Sequence, residues 1–307
     1  MAFTLRKSAD RGTIGLDIDG RYLAAAEVHG GRVVRAVSRE LPQGLVRDGE
    51  VSDAGGLAEL LKGFASESQL PRSVRLGVTN QQIVVRVIEL PRIDDEQQRD
   101  SAVRFQAAEA IAMPLDEAVL DHQVAGYAQS ADGRQQMQVV VVAARRKMIE
   151  ALVDAVKRAG FKVDGIDLDA FALVRALADD DGSPQDAARV YCHLAGITNL
   201  AVAVGASCFF TRPLAAVWDE ADAAARLADE VRLSIDYYMT QPQAKPVGEV
   251  LLSGPGSGDE QLVADLGVHL GLPVAVARPL GGLDPAVVDG DPRRYTVAAG
   301  LALGATA

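Results

Sequence analysis

The sequence predicts an α/β protein built as two similar halves around a cleft, with a small α/β domain inserted in the first half. The first observation is a pair of strand–turn–strand units lying half the chain apart. One reads Thr13-Ile14-Gly15-Leu16-Asp17-Ile18-Asp19-Gly20 and runs into Tyr22-Leu23-Ala24-Ala25-Ala26-Glu27-Val28. The other reads Arg189-Val190-Tyr191-Cys192-His193-Leu194-Ala195-Gly196 and runs into Thr198-Asn199-Leu200-Ala201-Val202-Ala203-Val204. The second observation is that a third strand, a helix and a further strand follow each unit, a repeat of element order rather than of sequence. The third is a change of texture at Leu90-Pro91, where a stretch with its own helix and strands begins.

In the first half, strand one ends at Asp19-Gly20, and strand two at Gly30-Gly31, a hairpin signal. Strand three runs through Val33–Val37. A helix follows, with Ser52 as its N-cap and Leu57, Leu60, Leu61 and Phe64 on one face. Strands return at Val74–Val78 and Ile83–Ile88. The insert, 90–168, then offers a helix from Asp94 to Ala112 stopping at Met113-Pro114, and strands at Val119–Tyr127 and Met137–Ala144 around an Asp132-Gly133 turn. A helix from Arg145 to Ala159 and a strand at Val163–Leu168 complete it. Asp179–Asp186 is a polar breaker. Beyond it come strands at 189–195, 199–204 and 207–212, a long helix over 218–240 and the strand Glu249–Ser253. The domains read as 1–89 (completed by 169–186 and the C-terminal helix), 90–168 and 187–307.

Composition narrows the function. A net charge of -11 disfavours nucleic acid and anionic membrane surfaces. Cys192 and Cys208 are the two cysteines, both in apolar strands, and read as buried reduced thiols. Met1–Ser8 lacks the apolar core of a signal peptide. The most apolar run, Val139–Ala144, is far short of the ~20 residues that cross a bilayer. The expected location is the cytoplasm, without direct membrane insertion.

The chemistry sits in three turns. A strand ending in a tight glycine turn can hold phosphate oxygens through its N–H groups, and two facing turns would clamp a nucleotide. The candidate phosphate residues are Asp17, Asp19, Gly20 and Arg21 in the first turn, with Ala195, Gly196 and Asn199 in the second. Ser253-Gly254-Pro255-Gly256-Ser257-Gly258 opens a helix, and Gly254, Pro255 and Gly256 allow close approach of a ligand. Asp17 and Asp19 alternate on one strand and reach a Mg²⁺ through water; the plainer reading of Asp19 is an exposed turn carboxylate. His193 stands where a carboxylate is expected, and reads as a histidine bonded to backbone rather than a base. No nucleophile has a visible base partner. Three strands, a helix and a strand, found twice around a cleft, are the arrangement of the actin-like ATPase fold.

These residues resemble the PilM family of type IV pilus assembly proteins over nearly the whole chain. The specific segments are Asp100–Glu109 with Met113-Pro114-Leu115, Val140–Arg146, Ser234-Ile235-Asp236-Tyr237-Tyr238, Leu251-Leu252-Ser253-Gly254 and Val297–Leu303. The resemblance implies an FtsA-like inserted domain, ATP with Mg²⁺ between the halves (Asp17 on the metal, Ser234 on the nucleotide), and no catalytic residue. It also implies a groove beside the insert for the cytoplasmic N-terminus of the membrane protein PilN. That contact would hold the chain at the inner face of the membrane, beside other pilus assembly proteins or further copies of itself. Val85, Val87, Arg104, Phe105 and Ala108 are the expected groove walls. The first turn lacks the family's Ser or Thr, His193-Leu194-Ala195-Gly196 replaces its Asp-Ile-Gly-Ala, Asn199 falls near its Thr, and Leu233 replaces its Arg. Each loss removes a contact of about 1–3 kcal/mol. The expectation is therefore a scaffold with a degenerate nucleotide cleft. The alternatives are an ATPase or phosphotransferase, and an FtsA-like filament subunit.

Overall fold

The computed structural model describes residues 13–129, 133–178, 186–278 and 285–304. The Asp132-Gly133 turn and the Asp179–Asp186 breaker fall partly outside these residues. Among them the chain forms two compact units, one of Gln81–Ala151 and one of the remainder.

The larger unit contains the same sheet twice. In its first half, β1 (Thr13–Ile18), β2 (Tyr22–His29) and β3 (Arg32–Glu40) form an antiparallel meander. Short strands β4 (Val46–Arg47) and β5 (Glu50–Val51) precede helix α1 (Ala54–Glu67). The cap of α1 is Asp53, whose side chain accepts the Gly56 N–H, one residue beyond the expected Ser52. Strand β6 (Ser73–Val78) then pairs parallel with β1.

The smaller unit holds β7 (Val84–Pro91), α2 (Glu96–Ala110), β8 (Ala118–Gln129) and β9 (Gln135–Arg145), with the strands in the order β7-β9-β8. Helix α2 starts at an Asp95 cap and presses Val103 and Ala107 onto Ile88, Leu90, Met137, Val139 and Val141. It ends at Ala110, before Met113-Pro114, because Ile111 is already extended.

After α3 (Arg146–Arg158), strand β10 (Lys162–Leu168) pairs parallel with β6, giving the first sheet the order β10-β6-β1-β2-β3. The sequence had carried the insert through Leu168; the pairing puts this strand in the first half. Helix α4 (Asp169–Leu177) follows. The second half repeats the pattern with β11 (Ala188–His193), β12 (Asn199–Val204), β13 (Ser207–Pro213), α5 (Ala223–Met239), β14 (Val247–Ser253), α6 (Glu260–Leu270) and β15 (Val274–Val276). Its order, β13-β12-β11-β14-β15, matches the first sheet strand for strand. Strand β10 therefore fills the place that β15 fills in the second half.

Two helices join the halves. Helix α7 (Thr296–Leu303), buried from Thr296 to Ala302, lies on β1 and β2 and against α4. Helix α4 packs its other residues on Tyr191, Ala201 and Ala203 of the second sheet. Cys192 and Cys208 are free, and burial pushes both thiols up to about 12, as expected of core thiols. No helix among the described residues is long and apolar enough to cross a membrane.

Candidate functional site

The tips of the two hairpins meet. Gly20, at φ +87°, lets the β1–β2 turn close. Asp19 beside it accepts the N–H groups of Arg21 (2.8 Å) and Tyr22 (2.6 Å) on Oδ1. Its Oδ2 accepts the Gly196 N–H at 3.1 Å, across from the second hairpin. One carboxylate thus binds the backbone of both halves. The reading of Asp19 as an exposed turn carboxylate is corrected: it is 7% exposed, because the approach of the second hairpin encloses it.

The hairpins are too close for a side chain at Gly196. A Cβ there would stand 2.8 Å from Asp19 Oδ1 and 2.9 Å from the Arg21 nitrogen, and closer still to the Asp19 carbonyl. Gly196→Ala is expected to cost about 1–3 kcal/mol by forcing the tips apart, measured by urea unfolding.

Beside this contact, Arg21 donates both guanidinium ends to Asp219, at 2.6 and 3.0 Å. The hydrogen bonds hold the Arg21 pKa above, and the Asp219 pKa below, their ordinary values. The pair is partly exposed, so its contribution is about 1 kcal/mol or less.

The glycine loop closes the other side. Gly254 sits at φ +81°, the Leu194 N–H donates to the Ser253 carbonyl (2.8 Å), and the Gly256 N–H donates to the Leu194 carbonyl (3.0 Å). Trp218 lies against Gly256, where a Cβ would be 2.6 Å from the indole Cδ2, and its Nε1 donates to the Ala195 carbonyl at 3.1 Å. The Glu230 carboxylate holds the strap leading to Trp218 by accepting the N–H groups of Ala215 and Ala216. A cavity of about 470 Å³ remains, lined by Asp19, Gly20, Arg21, Tyr22, Glu40, Ala195, Gly196, Trp218, Asp219, Pro255 and Arg294, among others.

Of the candidate cleft residues, Asp19, Gly20, Arg21, Ala195, Gly196 and Pro255 line this cavity; Asp17, Asn199, Ser234, Gly254 and Gly256 do not. Gly254 and Gly256 act by letting Leu194 and Trp218 approach. Ser234 is fully buried and donates back to the Glu230 carbonyl at 2.7 Å within α5. Asn199 is buried in the sheet, where Thr211 donates to its Oδ1 at 3.4 Å. Asp17 lies in the core, where burial first, then Asp169 and Asp19, raise its pKa well above the carboxylate range. A carboxyl pushed toward its neutral form is a weak Mg²⁺ ligand. Among the described residues, no three His, Cys, Asp or Glu side chains gather to hold a metal.

Burial lowers the His193 pKa to about 4, so this imidazole is neutral. Its Nδ1 lies 2.9 Å from Ser253 Oγ, a side-chain partner where a backbone one was expected, and Nε2 is buried with none. The residues that sequence reasoning missed are Trp218 and Asp219, assigned to a helix, together with Glu40 and Arg294. Trp218 carried one available signal, as the single tryptophan of the chain.

In the smaller unit, Val85 and Val87 lie on the face of β7 opposite Ile88 and Leu90, and so away from α2. Arg104, Phe105 and Ala108 lie on the outer side of α2, with Phe105 71% exposed. Within this unit the two sets do not share one surface. Among the described residues, strand β7 pairs on one side only, with β9.

The model of a known family, type IV pilus assembly protein PilM, matches residues 15–205, more than half of the chain. Among solved structures the chain is similar to the PilM–PilN type IV pilus biogenesis complex, at 23% identity and a TM-score of 0.80, covering 96% of this chain and 98% of that one. It is similar to MreB5 of Spiroplasma citri bound to ADP, at 11% identity and TM-score 0.54, covering 95% of each chain. A Bacteroides thetaiotaomicron protein with an actin-like ATPase fold matches at 10% identity and TM-score 0.52, covering 95% of this chain and 96% of that one. The fold is the actin-like ATPase fold, and the chain belongs to the family of type IV pilus assembly protein PilM.

Proposed function

We propose that this chain is a cytoplasmic scaffold of type IV pilus assembly that binds the N-terminal cytoplasmic tail of a PilN-like membrane protein. That tail would hold the protein at the inner face of the membrane. The observation that carries the proposal is the likeness, over nearly all of both chains, to a structure solved as a PilM–PilN complex. Two features of the smaller unit, on separate surfaces, are candidate docking elements for the tail. Among the described residues strand β7 is an edge of its sheet, so its backbone beside Val87 can pair with an added strand. Helix α2 presents Arg104, Phe105 and Ala108, and its exposed Phe105 is a fit anchor for an apolar tail residue.

The nucleotide cleft is degenerate in this reading. Backbone N–H groups at such hairpin tips can hold phosphate, and here Asp19 accepts three of them. Asp17 is buried away from the cavity and Trp218 lies against the glycine loop. These residues do not fit a Mg-triphosphate, and no hydrolytic step is derived from them. Other pilus proteins and self-association remain part of the proposed setting.

Titration calorimetry of the full chain with a synthetic peptide of the N-terminal tail of a PilN-like protein tests the proposal. The expected Kd is about 10 μM or tighter. Phe105→Ala should weaken it about tenfold while leaving the melting temperature unchanged. No heat at high micromolar peptide would sink the proposal.

A further inference from the structure

We infer that the Asp19 side chain is a tethered anion that occupies a backbone anion site built from both halves of the fold, and so clasps the hairpins together without a bound phosphate. The inference rests on the reading of the cleft as degenerate, and is independent of the tail-binding surface. Its ground is geometry. The N–H groups of Arg21 and Tyr22 come from the first hairpin and that of Gly196 from the second, so no single hairpin forms the site. Three convergent N–H groups make a concavity whose natural ligand is an anion. Asp19 supplies one at no cost of association, since its carboxylate is already part of the chain.

The surroundings fit a permanent rather than an exchanging ligand. Asp19 is 7% exposed, and Gly196 stands too close to it for even a methyl group to intervene. Arg21, whose N–H binds Asp19, sends its guanidinium across to Asp219 of the second half, a second tie beside the first. Trp218, the residue before Asp219, covers the glycine loop and donates to the carbonyl of Ala195, the neighbour of Gly196. Cleft closure, which a mobile phosphate would make conditional, is written here into residue 19.

The consequence is specific: removing the carboxylate should leave a vacant site for a small anion. Asp19→Ala is expected to melt about 5 °C below the wild-type chain. Formate or inorganic phosphate at about 100 mM should restore about 3 °C in the variant, and nothing in the wild type beyond the matched effect of sodium chloride. Should Asp19→Ala fail to fold, Asp19→Asn serves instead. It keeps the size and the turn but sets an amide donor against the Gly196 N–H, and should also melt lower than wild type. Variants as stable as wild type, or an Asp19→Ala protein destabilised but indifferent to both anions, would overturn the inference while leaving the degenerate cleft standing. A rise of several degrees in the wild-type chain with millimolar Mg-ATP would overturn that underlying reading, and the inference with it.

Discussion

Replacing Gly300 by alanine should destabilise the protein by about 3 kcal/mol, and by valine should leave no folded chain to purify. Gly300 lies in the middle of α7, where glycine costs about 1 kcal/mol relative to alanine in an ordinary helix. Only a close approach explains it. A Cβ there would stand 2.6 Å from the carbonyl carbon of Ala172 in α4, with the Ala172 oxygen nearer still. These are backbone atoms of a buried helix, so no side chain can swing aside. Gly15 on β1 makes the matching approach from the other side, where a Cβ would meet Ala302 nitrogen and Leu301 Cβ, both at 2.7 Å. Helix α7 is thus wedged between β1 and α4 at backbone contact, and the first sheet loses its cover if the wedge is widened. Gly63→Ala is the control. It lies on α1, where the Cβ would meet only the flexible ends of Arg39 and Glu67, at 3.4 and 3.9 Å. There the same substitution should stabilise by up to about 1 kcal/mol. Urea unfolding of Gly300→Ala and Gly63→Ala should give opposite signs; equal effects would deny the wedge.

Local chemistry made the duplicated architecture readable. Gly20 and the Gly30-Gly31 pair punctuate the first meander, and the apolar runs between them have strand length and nothing else to become. Membership of β10 was not readable, because its partner β6 lies across the whole inserted unit, and parallel pairing leaves no turn to mark it. The start of α5 was missed for a related reason. Residues 218–222 carry no breaker, yet Asp222 adopts φ 59°, and this turn frees Trp218 and Asp219 to reach the hairpins. Asn199, near the family's Thr, and Ser234, in a segment shared with the family, were expected as ligands; Thr211 and the Glu230 carbonyl satisfy them inside the core instead. The hairpin tips read from the sequence as phosphate-holding turns. That the anion is Asp19 itself depends on how close Gly196 comes, a distance set by the packing of both halves.

The contribution of Asp169 to stability should fall as pH rises from about 4 to 8, and Asp169→Asn should remove that fall. Asp169 opens α4, is 6% exposed, and its Oδ1 is buried with no hydrogen-bond partner. Burial, then Asp167 and Asp19, raise its pKa from 3.8 to about 8. Asp17 is raised in the same sense by burial and by Asp169, so the protons belong to the group of acids rather than to one member. Asp167 takes the neighbouring cations, with Arg175 at 2.9 Å and Arg75 at 3.9 Å, which leaves Asp169 none. Below pH 4 the folded and unfolded chains both hold the Asp169 proton, and its contribution is fully present. Between 4 and 8 the unfolded chain has released that proton while the native chain keeps it, so stability drops by up to about 1.4 kcal/mol per pH unit. Above 8 the contribution is lost. An asparagine has the shape of the protonated acid and no charge to release. At pH 5 the variant should lie within about 1 kcal/mol of wild type, and at pH 8 it should be the more stable by about 2 kcal/mol or more. Urea midpoints at pH 5, 6, 7 and 8 decide the matter: parallel profiles for the two proteins would mean that Asp169 is ionised in the native chain. The same acids are tied to the helices that join the halves: Asp169 opens α4, α4 packs against α7, and α7 lies on β1, the strand that carries Asp17.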